Sequence, residues 1–132
     1  MYLDELVEEI YEKYPEVEAI ANGHNVGFSD QLNNLPAEIT AMVQKQIRAE
    51  YGDVLELVHG SDVELAADID WRENTSFTDE FDIEFAGEDG WIITAMVPVE
   101  RIKFYLPGEN EFVISAGRLD CEVDTVKNYF GL

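Results

Sequence analysis

The run Trp91–Val97, closed by Pro98, is what most constrains the fold of this chain. It reads Trp-Ile-Ile-Thr-Ala-Met-Val and is apolar apart from Thr94. Such a run needs cover on both faces, as a central strand has. Pro98 has no N–H for a ladder, so the strand should stop there. Beyond it, Ile102, Phe104 and Leu106 alternate with Lys103 and Tyr105, the pattern of a half-buried strand. Pro107-Gly108 signals a turn, and Glu111–Ser115 the next strand. A period of two puts Glu109 and Glu111 on one side of the backbone with Val113 and Ser115. Phe112 and Ile114 then point into a core. Two acids on the lip of a buried sheet are the place in this chain that looks like a site.

The first 52 residues read as helical. Leu3, Leu6, Val7, Ile10 and Tyr14 make one apolar stripe, and Asp4, Glu5, Glu8, Glu9 and Glu12 cover the outer face. Pro15 should stop or kink this helix, with a second short one over Glu16–Ala21. Asn22 to Asn25 and Gly27 read as a loop, with His24 an exposed polar residue in it rather than a ligand. Ser29 caps a single turn that Asn33-Asn34 breaks. Pro36 suits the first position of a helix. Its stripe runs from Leu35 through Ile39, Met42, Val43 and Ile47 to Tyr51, and Gly52 ends it.

From residue 53 the chain turns β-rich. Val54–Val58 is a strand closing on His59-Gly60-Ser61, and Thr75–Thr78 is a short β-prone run. Residues 62–72 suit a helix or a strand. Phe81, Ile83 and Phe85 fit either a helix capped by Asp79 or a strand. Gly87–Gly90 is a turn. Leu119, Cys121 and Val123 alternate with acids as one edge strand, and Tyr129, Phe130 and Leu132 are candidates to pin the tail. Helices first and strands later indicate one α+β domain, with N-terminal helices on a small, largely antiparallel sheet.

Charge and cysteine usage limit the function. There are 29 Asp and Glu against 8 Lys and Arg, a net of −21. This excludes phosphate-backbone binding as a main activity, because that affinity comes from neutralising phosphates. It predicts fast, salt-sensitive association with a basic protein surface. A single cysteine, Cys121, reads as a reducing, cytoplasmic context. Two histidines and one cysteine make a zinc site improbable, so no metal is expected. No apolar run approaches the roughly 18 residues of a spanning helix. The acidic start Met-Tyr-Leu-Asp-Glu is unlike a signal or transit peptide.

An ordered set of short pieces then brings a family into view. Leu-Val-His59-Gly60-Ser61 is similar to the end of a first core strand that carries Arg or His before Gly. Thr-Ser76-Phe77-Thr78 is similar to a Ser-Thr-Ser strand. Phe85-Ala86-Gly87 and the run ending in Val97-Pro98 follow, then Pro-Gly-Glu109-Asn110-Glu111-Phe-Val-Ile, similar to a Glu-x-Glu motif with its apolar strand. In that order, over about half the chain, they resemble the ADP-ribosyltransferase superfamily, in particular its small bacteriophage members. The resemblance implies a split sheet that binds nicotinamide adenine dinucleotide (NAD). It implies Glu111 as the catalytic acid and Glu109 as the group orienting the acceptor. Ser76 and Thr78 would brace Glu111, and His59 and Gly60 would hold the nicotinamide ribose end.

Two readings follow. One is an enzyme that transfers ADP-ribose to a basic, nucleic-acid-handling host protein. The other is a binding protein without chemistry, a nucleic-acid mimic of the anti-restriction or anti-CRISPR kind. Its acidic faces over residues 4–18, with Asp4, Glu5, Glu8, Glu9 and Glu12, and over residues 50–89 would fill an Arg- and Lys-lined channel.

Overall fold

In the computed structural model, which describes residues 1–24, 26–65, 68–80 and 87–131, the apolar stripes became helix faces. Leu3, Leu6, Val7 and Ile10 are the buried residues of α1 (Leu3–Lys13). Pro15 opens α2 (Pro15–His24) rather than only ending α1, because its missing N–H falls where a helix has no partner for one. That helix runs three residues past Ala21, through Asn22-Gly23, so the expected loop starts later and His24 is the last helical residue. A 3-10 turn spans Ser29–Asn34. It is followed by α3 (Ala37–Tyr51), capped by Pro36 and ended by Gly52 at φ 91°.

Eight strands follow among the described residues: β1 (Val54–Ser61), β2 (Asp68–Trp71), β3 (Thr75–Thr78), β4 (Trp91–Pro98), β5 (Ile102–Leu106), β6 (Glu111–Ile114), β7 (Gly117–Asp120) and β8 (Glu122–Thr125). The short α4 (Val126–Phe130) comes last. Six strands form one sheet in the order β5-β6-β3-β1-β4-β8, and β2 pairs with β7 in a second. Every described pairing is antiparallel. The fold is α+β, with the N-terminal helices packed on a mostly antiparallel sheet.

The apolar run is central, as expected: β4 pairs with β1 along its whole length and with β8 over Trp91–Thr94. Both neighbouring residues Ile92 and Ile93 are buried where β8 is present, and Met96 is exposed beyond it. Residues His59-Gly60-Ser61 do not close β1; they stay in the ladder opposite Ile93, Ile92 and Trp91. The edge of β5 is covered by α3, whose Thr40 hydroxyl and Gln44 amide donate to the carbonyls of Lys103 (3.4 Å) and Ile102 (3.0 Å). Covering an open edge in this way prevents strand addition by another chain.

Other expectations are corrected. Tyr105 is buried rather than outward, because a register irregularity between Ile102 and Phe104 turns its ring onto Phe112. The alternating run around Cys121 is two strands in two sheets, split at Cys121: Leu119 pairs with Ile69 and Val123 with Ile93. Alternation tells which face a residue takes and says nothing of which sheet receives it. At the tail, Val126 is the buried anchor, whereas Tyr129 and Phe130 are 47% and 40% exposed. The helix-or-strand question at Phe81, Ile83 and Phe85, Ala86 of the family-like pieces, and Leu132 lie outside the described residues.

Two of the arginines are engaged within the fold. Arg101 donates Nε–H to Ser115 Oγ (2.9 Å), Nη1–H to the Arg118 carbonyl (2.7 Å) and Nη2–H to the Ser115 carbonyl (3.0 Å). It thereby ties the start of β5 to the β6–β7 connection. Arg48 pairs with Glu100 at 2.7 Å and Asp53 at 3.4 Å. Lysine cannot reproduce the planar fork of Arg101. Arg101→Lys should therefore lower unfolding stability in urea by about 1–3 kcal/mol; an unchanged midpoint and slope would refute this clamp role.

Candidate functional site

The six-stranded sheet opens between β1 and β3. Among the described residues these strands pair at Val58 opposite Thr78 alone, while β1 keeps eight paired positions with β4. Beyond Val58 the His59 side chain takes over from the backbone ladder, its Nδ1 lying 2.7 Å from the Ser76 carbonyl. A carbonyl only accepts, so Nδ1 carries the proton and neutral His59 keeps Nε2 as an acceptor. The imidazole stays in place between Trp71 (ring centroids 5.3 Å) and Phe77 (5.2 Å). Burial lowers its pKa, and the bond to Ser76 opposes that only in part. Trp71 comes from β2, so the small sheet backs one wall of the opening.

The opening is a pocket of about 140 Å³ lined by Val58, His59, Gly60, Ser76, Phe77, Thr78 and Glu111. Five of the residues singled out in the sequence, His59, Gly60, Ser76, Thr78 and Glu111, are thus brought together from three strands. Antiparallel register does this: Thr78 lies opposite Glu111, and Ser76 opposite Val113. Glu109, on the turn before β6, is exposed and stands at the rim. Its carboxylate acts on Glu111 and on His24.

The two bracing residues differ in role. Ser76 bonds the Glu111 carboxyl. Thr78 lines the pocket but directs its hydroxyl into its own turn, donating to the Glu80 carbonyl (3.0 Å) and accepting from Glu80 N–H (3.2 Å). The Glu111 Oε2 atom is buried without a hydrogen-bond partner. Burial raises the Glu111 pKa, Ser76 opposes the rise and Glu109 adds to it. A desolvated carboxylate with one free oxygen is poised to accept from a ligand hydroxyl or to face a positive charge.

The Glu109–Glu111 turn is itself held. Asn110 is the one non-glycine residue with positive φ, 54°, among the described residues. Its Oδ1 accepts from Tyr105 (2.9 Å) and its Nδ2–H donates to Asp79, which also accepts from Tyr51 (3.3 Å). Burial is the largest cause lifting the Tyr51 hydroxyl to about 12, with Asp79 adding to it.

His24 was missed by sequence reasoning. It belongs to the site: its Nε2 lies 2.7 Å from Ser76 Oγ, 52 residues away in the chain. Burial lowers its pKa, partly offset by Glu109. An Asn-Gly-His-Asn string resembles a solvated loop, and the helix that carries His24 to the sheet has no strong stripe to reveal it.

The acids of α1 lie apart from this pocket, and all five are exposed. Glu5 accepts from the Tyr2 N–H at 3.2 Å, so it also serves the fold, and the Asp4 charge acts on the Tyr105 hydroxyl. Glu8 and Glu12 flank a shallow surface hollow with Tyr11 and Glu18.

At about 140 Å³ the pocket is smaller than the roughly 300–1,000 Å³ of sites that enclose whole ligands, so of the dinucleotide that the resemblance implies it has room for a ring or a sugar only. Glu111 Oε2 suits a ribose hydroxyl. No Lys or Arg lines it; Arg72 lines a separate cavity of about 290 Å³ beside Asp30 and Glu73. No group of three or more His, Cys, Asp or Glu among the described residues could hold a metal ion, and none of their helices is long and apolar enough to cross a membrane.

The sign of the Glu111 shift gives a stability test. A carboxyl with a raised folded-state pKa binds its proton more tightly when folded. Folding is then favoured below the ordinary value of 4.5 and loses that contribution as pH rises through the folded value. Glu111→Gln should be more stable than the parent at pH 7, with the difference shrinking as pH falls through the folded value and gone below 4.5. Thermal unfolding at both pH values checks it; a less stable variant at pH 7 would contradict the buried-charge account.

Compared with protein-family models, curated proteins and solved structures, the chain matches none.

Proposed function

We propose that this protein is a phage-type ADP-ribosyltransferase that uses NAD to modify a basic, nucleic-acid-handling host protein. The observation that supports the reading is the convergence of His59, Gly60, Ser76, Thr78 and Glu111 on one pocket. These residues were picked out by motif order, and they lie up to 52 positions apart in the chain.

NAD, when bound, supplies an ADP-ribosyl group carried on a good leaving group, nicotinamide. Gly60 and the His59 imidazole hold that end of the molecule, against the Phe77 wall. Glu111, with one carboxylate oxygen free, would accept from a ribose hydroxyl and would supply negative charge against the positive charge that loss of nicotinamide leaves on the sugar. In a water-poor pocket such placed charge counts for far more than in solvent. Ser76 keeps the carboxylate aimed, and Glu109 at the rim orients the acceptor side chain. Glu111→Gln keeps shape and loses charge. It should lower labelling of a host-lysate protein by labelled cofactor at least about 100-fold. Equal labelling by the variant, or none by the parent at any concentration, would overturn the assignment.

A second reading has its own support. Glu8, Glu9 and Glu12 are exposed on one helix, and carboxylates at i, i+4 stand about 5–6 Å apart. DNA carries a charge per roughly 1.7 Å of axis, so such a face can compete for a basic channel. In the transferase reading the same face delivers the enzyme to its target. Reversing Glu8, Glu9 and Glu12 to Lys should slow association with the partner about tenfold or more at low salt, with the gap closing by 0.5 M salt. An unchanged association rate removes α1 from the docking surface.

A further inference from the structure

We propose that His24 is a positioning residue for Glu111: its Nε2–H donates to the Ser76 hydroxyl, which turns the Ser76 proton toward the Glu111 carboxylate. The catalytic consequence rests on the transferase reading. The consequence in the free protein rests on geometry alone.

Ser76 has one proton and two neighbours that could take it, His24 Nε2 at 2.7 Å and the Glu111 carboxyl. If the proton went to His24, Glu111 would face a hydroxyl lone pair. His24 would also carry its proton on Nδ1, which is buried without a hydrogen-bond partner. A buried N–H without an acceptor is among the rarest defects in folded proteins. With the proton on Nε2 instead, one polarity runs through the chain: His24 Nε2–H to Ser76 Oγ, then Ser76 O–H to Glu111. Bonds aligned head to tail in this way reinforce one another. The groups facing Glu111 are Glu109 from its own turn, Ser76 backed by His24 from α2, and His59 from β1. Burial lowers the pKa of both histidines and so disfavours their charged forms, while Ser76 is the group that favours the charged form of Glu111 against Glu109.

The arrangement explains why the N-terminal helices are needed at a site otherwise built from strands. The C-terminus of α2 supplies the donor that no strand residue supplies. It makes residues 15–24 part of the pocket's function rather than a separate docking unit.

The test reads the free protein first. The ¹⁵N shifts of the His24 ring should show the Nε2-protonated tautomer, and the Glu111 side-chain carbon should titrate. In His24→Phe, which keeps a ring and loses the donor, Glu111 should titrate at higher pH than in the parent. His24→Gln, whose amide can donate to Ser76, should bring the titration back toward the parent. In the labelling assay, His24→Phe should lower kcat about tenfold with KM nearly unchanged, the loss expected for one neutral hydrogen bond, and His24→Gln should recover it. An Nδ1-protonated tautomer in the parent overturns the proposal, as does a Glu111 titration that His24→Phe leaves in place. Should His24→Phe not fold, the parent tautomer decides. Absence of labelling by the parent would sink the transferase reading and leave the tautomer and titration results standing.

Discussion

The bond between the His59 imidazole and the Ser76 carbonyl holds the site open. Where β1 and β3 part, a backbone carbonyl would lose its ladder partner inside a buried sheet, a costly arrangement. His59 Nδ1–H supplies that partner at 2.7 Å, and Trp71 and Phe77 hold the ring in place. The sheet can therefore stay split without an orphaned carbonyl at Ser76. The pocket is the space the split leaves, and its floor and walls are strand residues rather than mobile loop.

Around that opening, polar groups are organised by elements distant in sequence. Asn110 takes a left-handed conformation between the two acids. It stays there because Tyr105 from β5 and Asp79, itself bonded by Tyr51 from α3, grip its side chain. Strain of this kind persists only when the surroundings over-determine it, and it concentrates at functional sites. Arg101 fixes the far end of β6 through Ser115. Glu111 is thus set from both ends of its strand, and its unfavourable burial is tolerated because the scaffold around it is stiff.

Charge works on a longer scale. Of the 8 Lys and Arg, Arg101 is turned inward to carbonyls and Arg48 is tied to Glu100 and Asp53. The negative field of α1 stands clear of the pocket. A field of that sign repels free nucleic acid and attracts basic protein surfaces, which is what the proposed function asks of it.

Most of the fold class, the central strand Trp91–Pro98 and five members of the pocket were legible in the sequence. Hydrophobic period and proline or glycine punctuation are local properties, and the site motifs lie in chain order. What local pattern cannot carry is pairing. It could not tell that the run around Cys121 divides between two sheets, that Tyr105 turns inward at an irregular register, or that Thr78 uses its hydroxyl on its own turn. Nor could it find His24, whose role exists only because α2 ends against β3. The sequence alone determined which residues prefer water and which secondary structure each stretch favours, since both follow from side-chain chemistry and spacing. The tertiary structure decided which polar groups meet and which stay unpaired, because a contact across 52 residues depends on how strands register and helices dock.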